Sequence, residues 1–562
     1  MYVSRHLTVE LLAYGGVVAA GLALRLAGLG QAPLEPSEAE LALSAWQVTR
    51  GAPPALDGGP LPVFATTLVL FVFGASDAAA RLLPALAGAA LPLAAWALRG
   101  ACGRWGALGA ATALAVSPTL VAAGRRAEAT ALVLALAALV LASAALPGRP
   151  RWTATALAGG ALAAGGTPGF LALTALALGG LWAVRREWRR ARSRFWRPLP
   201  MGFAASFLVA TGGLAVPSGW GLGVWQPYVT WLLGVGDPLP ALRAYARELL
   251  LLDPAALALV GLAVLAAGRR LLAGPSAWLG GSALVVLALG AATATAPPAA
   301  LAVVTAAALA AAGASLAAEI AAGVAALHAA ALPEGQAGGP PWPALGLGLL
   351  GIGVGLWLAA LVISSATLPG GPPRVFDTPI TGYFALTLGL LALAAAVGFQ
   401  ALGAERTRLT ALVAALAVAS ALALHGATWG VVLAVGGPET QAGMRSSSAD
   451  LANLVDEVER HAAVWSTPGR RDVPLALDAA VELPLAWYLR AYEQRPARAE
   501  DARLVVQPAA APRPAGRWAE RRYRLGVSGR APAPGDLWRW QLYRERPGPS
   551  EPVDVLLLVR LD

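Results

Sequence analysis

The chain has almost no cysteine and no lysine. Cys102 stands alone in 562 residues, so no intramolecular disulfide can form and no thiolate cluster can hold a metal. All 42 basic residues are arginines, as codon bias in a GC-rich genome produces, and they mark turns between apolar runs, which argues for topology and against nucleic acid as a partner. The four histidines (His6, His328, His425 and His461) are scattered without ligand spacing, which removes a histidine metal site. No Walker loop and no G-x-S-x-G is present, which argues against an ATP-driven pump and a hydrolase of that type. A lone GxGxxG at Gly346, Gly348 and Gly351 lies inside an apolar run with no strand before it, so it reads as helix packing. The sequence thus asks for no metal and no cofactor.

Charge is scarce as well. Charged residues make up 13% of the chain against 57% hydrophobic, mean hydropathy is +0.62, and apolar runs of about 20 residues recur. This predicts a polytopic α-helical membrane protein with about 13 transmembrane helices, at 7–29, 78–98, 106–123, 128–146, 153–166, 168–184, 199–216, 249–268, 275–295, 298–316, 344–368, 379–402 and 409–435. The first run is too long for a signal-peptide core and reads as a retained anchor in the cell membrane. With a cytoplasmic amino terminus, Arg99 with Arg104, Arg149 with Arg151, the run from Arg185 to Arg197, Arg269 with Arg270 and Arg406 with Arg408 all fall inside, as the positive-inside rule requires. The 185–197 run reads as a cytoplasmic stop signal, with a patch for anionic membrane lipids or nucleic acid as the alternative.

That topology turns three features outward: loop 30–77, loop 217–248 and the tail. In the first loop, Pro33 to Trp46 places Glu35, Glu38 and Glu40 at the membrane surface, where ionised groups next to hydrocarbon mark a functional site. Ser37 to Val48 has the periodicity of a short amphipathic helix, and Pro60 to Gly74 reads as a second interfacial or re-entrant piece. In the second loop, Trp220, Trp225, Tyr228 and Trp231 read as interfacial belt residues, with an aromatic wall for a ligand as the alternative. After residue 439 come 18 of the 42 arginines and 16 of the 32 acidic residues, which divides the chain into a membrane domain, 1–436, and a C-terminal soluble α/β domain, 437–562. There Ser448 caps a helix with Leu451, Leu454, Val455 and Val458 on one face, PLAWYLRAYE is a second helix, and DVPLALDA, LVVQ, LWRWQLY and VDVLLLVR read as strands.

Taken in order, the anchor, the acidic loop, GGPLPVFATTLVLFVFGASDAAARLLPALAG and SPTLVAAGRRAEATALVLALAAL resemble the GT-C membrane glycosyltransferases, such as protein O-mannosyltransferases and aminoarabinose transferases. VELPLAWYLRAYE and the final VDVLLLVRLD are most similar to the branch labelled flippase-activity-associated proteins. The resemblance implies a glycosyltransferase that moves a sugar from a polyprenyl-phosphate-linked donor to a protein, lipid or glycan acceptor on the outer face. In that family an Asp followed by Glu in the first outer loop serves as general base; those positions here are Ser37 and Glu38. Glu38 is then the first candidate base and Glu35 the second. A second family pattern, SR-x-x-R-x-D, falls on residues 124–130, where Arg125 remains, Glu128 takes the second Arg position and Thr130 the acid position. Glu128 is therefore a displaced carboxylate candidate, and Arg81, Arg125 and Arg126 are candidates for the donor phosphate. Two alternatives stay open: a non-catalytic relative that assists glycan assembly or lipid-linked sugar translocation, which the substituted acids favour, and a secondary transporter.

Overall fold

A computed structural model of the protein describes residues 9–56, 59–97, 99–145, 150–184, 199–233, 238–271, 274–291, 297–330, 404–434, 445–447, 450–465, 473–492, 502–528 and 551–561. The spans expected at 344–368 and 379–402, the GxGxxG glycines, the 185–197 arginine run, Ser448 and the strand expected at LWRWQLY lie outside these residues.

Each apolar run that is described forms a helix, because backbone groups in hydrocarbon must be satisfied within the segment. The order is α1 (Val9–Leu26), α2 (Pro36–Thr49), α3 (Pro60–Phe73), α4 (Asp77–Ala97), α5 (Arg99–Val116), α6 (Pro118–Arg125), α7 (Ala129–Ala145), α8 (Pro150–Ala163), α9 (Gly166–Val184) and α10 (Leu199–Ala210). A π-helical turn (Gly221–Trp225) follows, then α11 (Gln226–Leu233), α12 (Pro238–Leu252), α13 (Pro254–Leu271), α14 (Gly274–Ala291), α15 (Pro297–Ala330) and α16 (Ala404–Ala434). Among the described residues, Asp77–Ala97, Ala302–Ala326 and Ala411–Thr428 are long and apolar enough to cross a membrane. Seven further apolar helices are shorter, and together they make a polytopic membrane bundle. Small residues bring the helices together: a methyl group built on Gly109 of α5 would lie 2.5 Å from the Gly313 carbonyl of α15, so only glycine permits that crossing.

Two expectations change. The span expected as one helix at 106–123 is broken at Ser117 into α5 and α6, bent by 56°, because Pro118 has no N–H to continue the ladder. The 217–248 loop is largely helical, carrying the π-turn, α11 and most of α12.

The tail holds β1 (Arg445–Ser447), α17 (Asp450–Trp465), β2 (Leu475–Leu477), α18 (Glu482–Tyr488), β3 (Leu504–Pro508), β4 (Trp518–Ser528) and β5 (Glu551–Arg560). The sheet runs β1-β4-β5-β3-β2, with β2 parallel to β3 and the other pairs antiparallel. One face packs on α17, whose Leu451, Leu454, Val458 and Ala462 are buried with Val506, Val555 and Leu557. The two acidic-loop helices, the turn between α6 and α7, and α18 of the tail meet at one place.

Candidate functional site

The acidic loop is organised around a buried ion pair. Glu35 is the N-cap of α2 and Pro36 its first residue, a pairing that sets the chain up to enter a helix. Glu38, one turn in, reaches back so that its Oε2 accepts from the Glu35 N–H at 2.9 Å, closing a capping box. The same carboxylate receives Arg81 of α4 in a bidentate fork, Nε to Oε1 at 2.8 Å and Nη2 to Oε2 at 2.5 Å, and Oε1 also accepts from the Ala127 N–H at 2.8 Å. Arg81 spends its remaining N–H groups on the carbonyls of Leu29, Ala32 and Pro33. All five guanidinium protons are therefore used, and Glu38 is 1% exposed. Burial alone would raise the Glu38 carboxyl, but the charge and hydrogen bonds of Arg81, with the two backbone donors, hold it below the ordinary carboxylate value. Such a group is a poor proton acceptor and cannot be reached by a substrate hydroxyl. Glu38, expected as the first candidate base, is thus fully engaged by Arg81 and backbone donors. Arg81, expected as a phosphate candidate, has its five donors committed to Glu38 and the loop carbonyls.

Glu35 has the opposite character. It is 8% exposed, and its Oε1 lies 3.8 Å from Nη2 of Arg126, beyond hydrogen-bond length. Burial pushes its carboxyl up; Arg126 pulls it down, while Glu38 and Glu128 push it up further, and the net direction is upward. Glu128 lies in the turn between α6 and α7 and is likewise raised by burial, against the pull of Arg126. Arg126, flanked by Glu35 and Glu128, holds its proton more tightly than usual because their charges outweigh burial. Arg125 points elsewhere: its Nη1 donates to the carbonyls of Leu24, Arg25 and Ala27 and so caps the C-terminus of α1. Of the residues expected at the site, the fold brings Glu35, Glu38, Arg81, Arg126 and Glu128 together and turns part of Arg125 to a structural task. Ser37 is exposed and Thr130 is buried. Among the described residues no His, Cys, Asp and Glu cluster could hold a metal ion.

Residues 57–211 match the family profile of the dolichyl-phosphate-mannose-protein mannosyltransferases. The match covers under a third of the chain. The matched segment contains Arg81, Arg125, Arg126 and Glu128 and begins after Glu35 and Glu38. No curated protein matches the chain in sequence. Among solved structures, the chain is similar to ArnT from Cupriavidus metallidurans bound to undecaprenyl phosphate, at 17% identity over 85% of this chain and 84% of that one, with a TM-score of 0.49. The apo form of ArnT gives 18%, 86%, 84% and 0.49. The oligosaccharyltransferase AglB from Archaeoglobus fulgidus, in complex with an inhibitory peptide and a dolichol-phosphate, gives 12%, 86%, 63% and 0.44.

Two further groups of polar residues are not singled out in the sequence analysis above. The first brackets the α5–α6 break. Arg25 of α1 is fully buried and donates to the carbonyls of Ala115 at 3.0 Å and Leu114 at 3.3 Å. Leu114 is the carbonyl that Pro118 leaves without a donor. On the other side of the break Ser117 caps α6 and donates to Oδ2 of Asp253 at 2.5 Å, while Asp253 caps α13 through the Ala256 N–H at 2.9 Å. A cation thus closes the C-terminal end of one half-helix and an anion faces the N-terminal end of the next, the arrangement helix dipoles favour. Ser117 and Asp253 also line a cavity of about 210 Å³ between α5, α13, α15 and α16. Ser-Pro and Asp-Pro are N-cap signatures that could have flagged both residues. The second group joins the tail to the site. Trp487 Nε1 donates to Oδ1 of Asp77 at 2.8 Å and Tyr488 Oη to Oδ2 at 2.7 Å. No local pattern signals a contact across more than 400 residues.

Proposed function

We propose that this protein transfers a sugar from a polyprenyl-phosphate carrier to a hydroxyl of a protein, lipid or glycan acceptor outside the membrane, with Glu35 as general base. The observation that carries the reading is the pairing of a buried carboxylate of raised proton affinity, Glu35, which keeps 8% of its surface exposed, with Arg126 at 3.8 Å in the acidic loop. A sugar phosphodiester already has a good leaving group, so the reaction needs a base for the acceptor proton and a cation for the departing phosphate. The acceptor O–H proton passes to Glu35 as its oxygen bonds to the anomeric carbon. The bond from that carbon to the phosphate oxygen breaks, and the carrier leaves as polyprenyl phosphate. Arg126 meets the phosphate charge, the remaining donors of Arg125 assist, and Glu128 tunes Arg126. Glu38 is a positioning residue that fixes α2 to α4. The chain's family profile, named for a dolichyl-phosphate sugar donor, supports this donor class. The amino terminus faces the cytoplasm, and residues 437–562 form an extracytoplasmic domain.

A second reading is a non-catalytic relative that holds the same lipid-linked sugar. Ser37 favours it: the residue at the position of the family's base is an exposed serine with no acid in its place. Reconstitution with a panel of polyprenyl-phosphoryl sugars and acceptors separates the two. Release of free carrier that Glu35→Gln abolishes supports the enzyme. Donor binding with no release across the panel supports the second reading and contradicts the first.

A further inference from the structure

Tyr488 occupies an unusual place, because its hydroxyl oxygen is bonded on two sides to the acidic loop and its flank. It accepts from the Leu34 N–H at 2.7 Å and donates to Asp77 at 2.7 Å. Leu34 directly precedes Glu35, and Asp77 lies four residues before Arg81, one turn along the same helix face. The bonds therefore close a ring that runs from Tyr488 through Asp77, the first turn of α4, Arg81 and Glu38 to the Glu35 N–H, and back through Leu34. Trp487 seals it: the indole is fully buried against Ala39, Ala42 and Ala45, small residues along α2 that leave room for it. Arg490 stacks on the Trp487 ring at 3.9 Å and donates to the Ala75 carbonyl at 2.7 Å, so the clasp grips both ends of the loop that leads into α4. The phenol stays protonated because burial and the Asp77 charge both push it up, so its donor role persists across the working pH range.

We infer that the Trp487–Tyr488 clasp makes the C-terminal domain part of the active site, with Tyr488 as a positioning residue that fixes Glu35 through the Leu34 backbone. This rests on the proposed role of Glu35. The clasp bonds Leu34, Ala75 and Asp77, which flank the acidic loop and the start of α4, so its loss misplaces the base while leaving donor binding in place. A small displacement of a base costs rate far more than affinity.

The test uses the full-length protein in lipid nanodiscs and compares wild type with Tyr488→Phe, which keeps the ring and removes the hydroxyl. Hydrogen exchange at the Leu34 amide speeds up on the order of tenfold, while exchange in β5 is unchanged and shows that the domain remains folded. Carrier release falls roughly tenfold in kcat with KM held within about twofold. Asp77→Asn, which keeps the size of the side chain, gives a smaller change in the same direction. Unchanged exchange at Leu34 overturns the clasp. Faster exchange with an unaltered kcat overturns the positioning role while the enzyme reading stands. If wild type releases no carrier from any donor, the enzyme reading fails by itself, and the clasp is decided by the exchange result alone.

Discussion

Arg81 gives Glu38 two of its five guanidinium protons and the carbonyls of Leu29, Ala32 and Pro33 the other three. This pair is the keystone of the acidic loop. Removing one partner leaves the other charge buried and uncompensated. Glu38→Gln and Arg81→Leu are each expected to destabilise the protein by about 3–5 kcal/mol. Arg81→Lys is expected to destabilise too, because an ammonium cannot reproduce the planar fork. Thermal unfolding in nanodiscs measures all three, and a melting curve for Arg81→Lys that overlays wild type contradicts the account.

Glu35 and Glu38 differ in pH response. The Glu35 carboxyl is raised above its ordinary value of 4.5, so it holds its proton to higher pH and the base form is lost as pH falls through that raised value. The acid limb of kcat/KM is therefore expected to lie above the ordinary glutamate range. Glu38, which is depressed, stays ionised across that window. The stability sign is opposite for the two residues. Glu38 stabilises the fold above the ordinary carboxylate value, and this contribution is lost as pH falls through its depressed value; the Glu35 contribution shrinks as pH rises toward its raised value. Glu35→Gln is thus expected to leave stability at neutral pH unchanged or higher, which a melting curve checks.

Much of this was legible in the sequence, because membrane helices and amphipathic faces carry strong periodic signals. The periodicity of Ser37 to Val48 predicts a helix, which is α2, and α3 fills Pro60 to Phe73 of the expected interfacial piece. β4 carries a weak signal because Arg521 interrupts the apolar alternation that Tyr523 and Leu525 continue on its buried face. The sequence marks these carboxylates as a group but not their partners, since type and spacing say nothing of who pairs with whom. Glu38 stands nearest the family's base position, yet a partner 43 residues away, Arg81, takes both of its oxygens. The clasp from Trp487 and Tyr488 to Asp77 joins segments that no local pattern connects.

The break at Ser117 gives another test. Arg25 serves carbonyls at the end of α5, and Asp253 faces the start of α6. Arg25→Leu is expected to cost about 1–3 kcal/mol for each carbonyl left without a donor, read as a lower melting temperature. Ser117→Ala, which removes an N-cap and a partner of Asp253, is expected to cost about 1–2 kcal/mol. A Ser117→Ala protein as stable as wild type would show that the bend is held by Pro118 alone.

The role given to Glu35 is tested most directly by single-turnover carrier release at saturating polyprenyl-phosphoryl sugar, comparing wild type with Glu35→Gln and following unfolding in the same samples. The account predicts a rate loss of about 100-fold or more, the scale of a lost general base, with the melting curve unchanged or raised. A Glu35→Gln protein that releases carrier at the wild-type rate contradicts it.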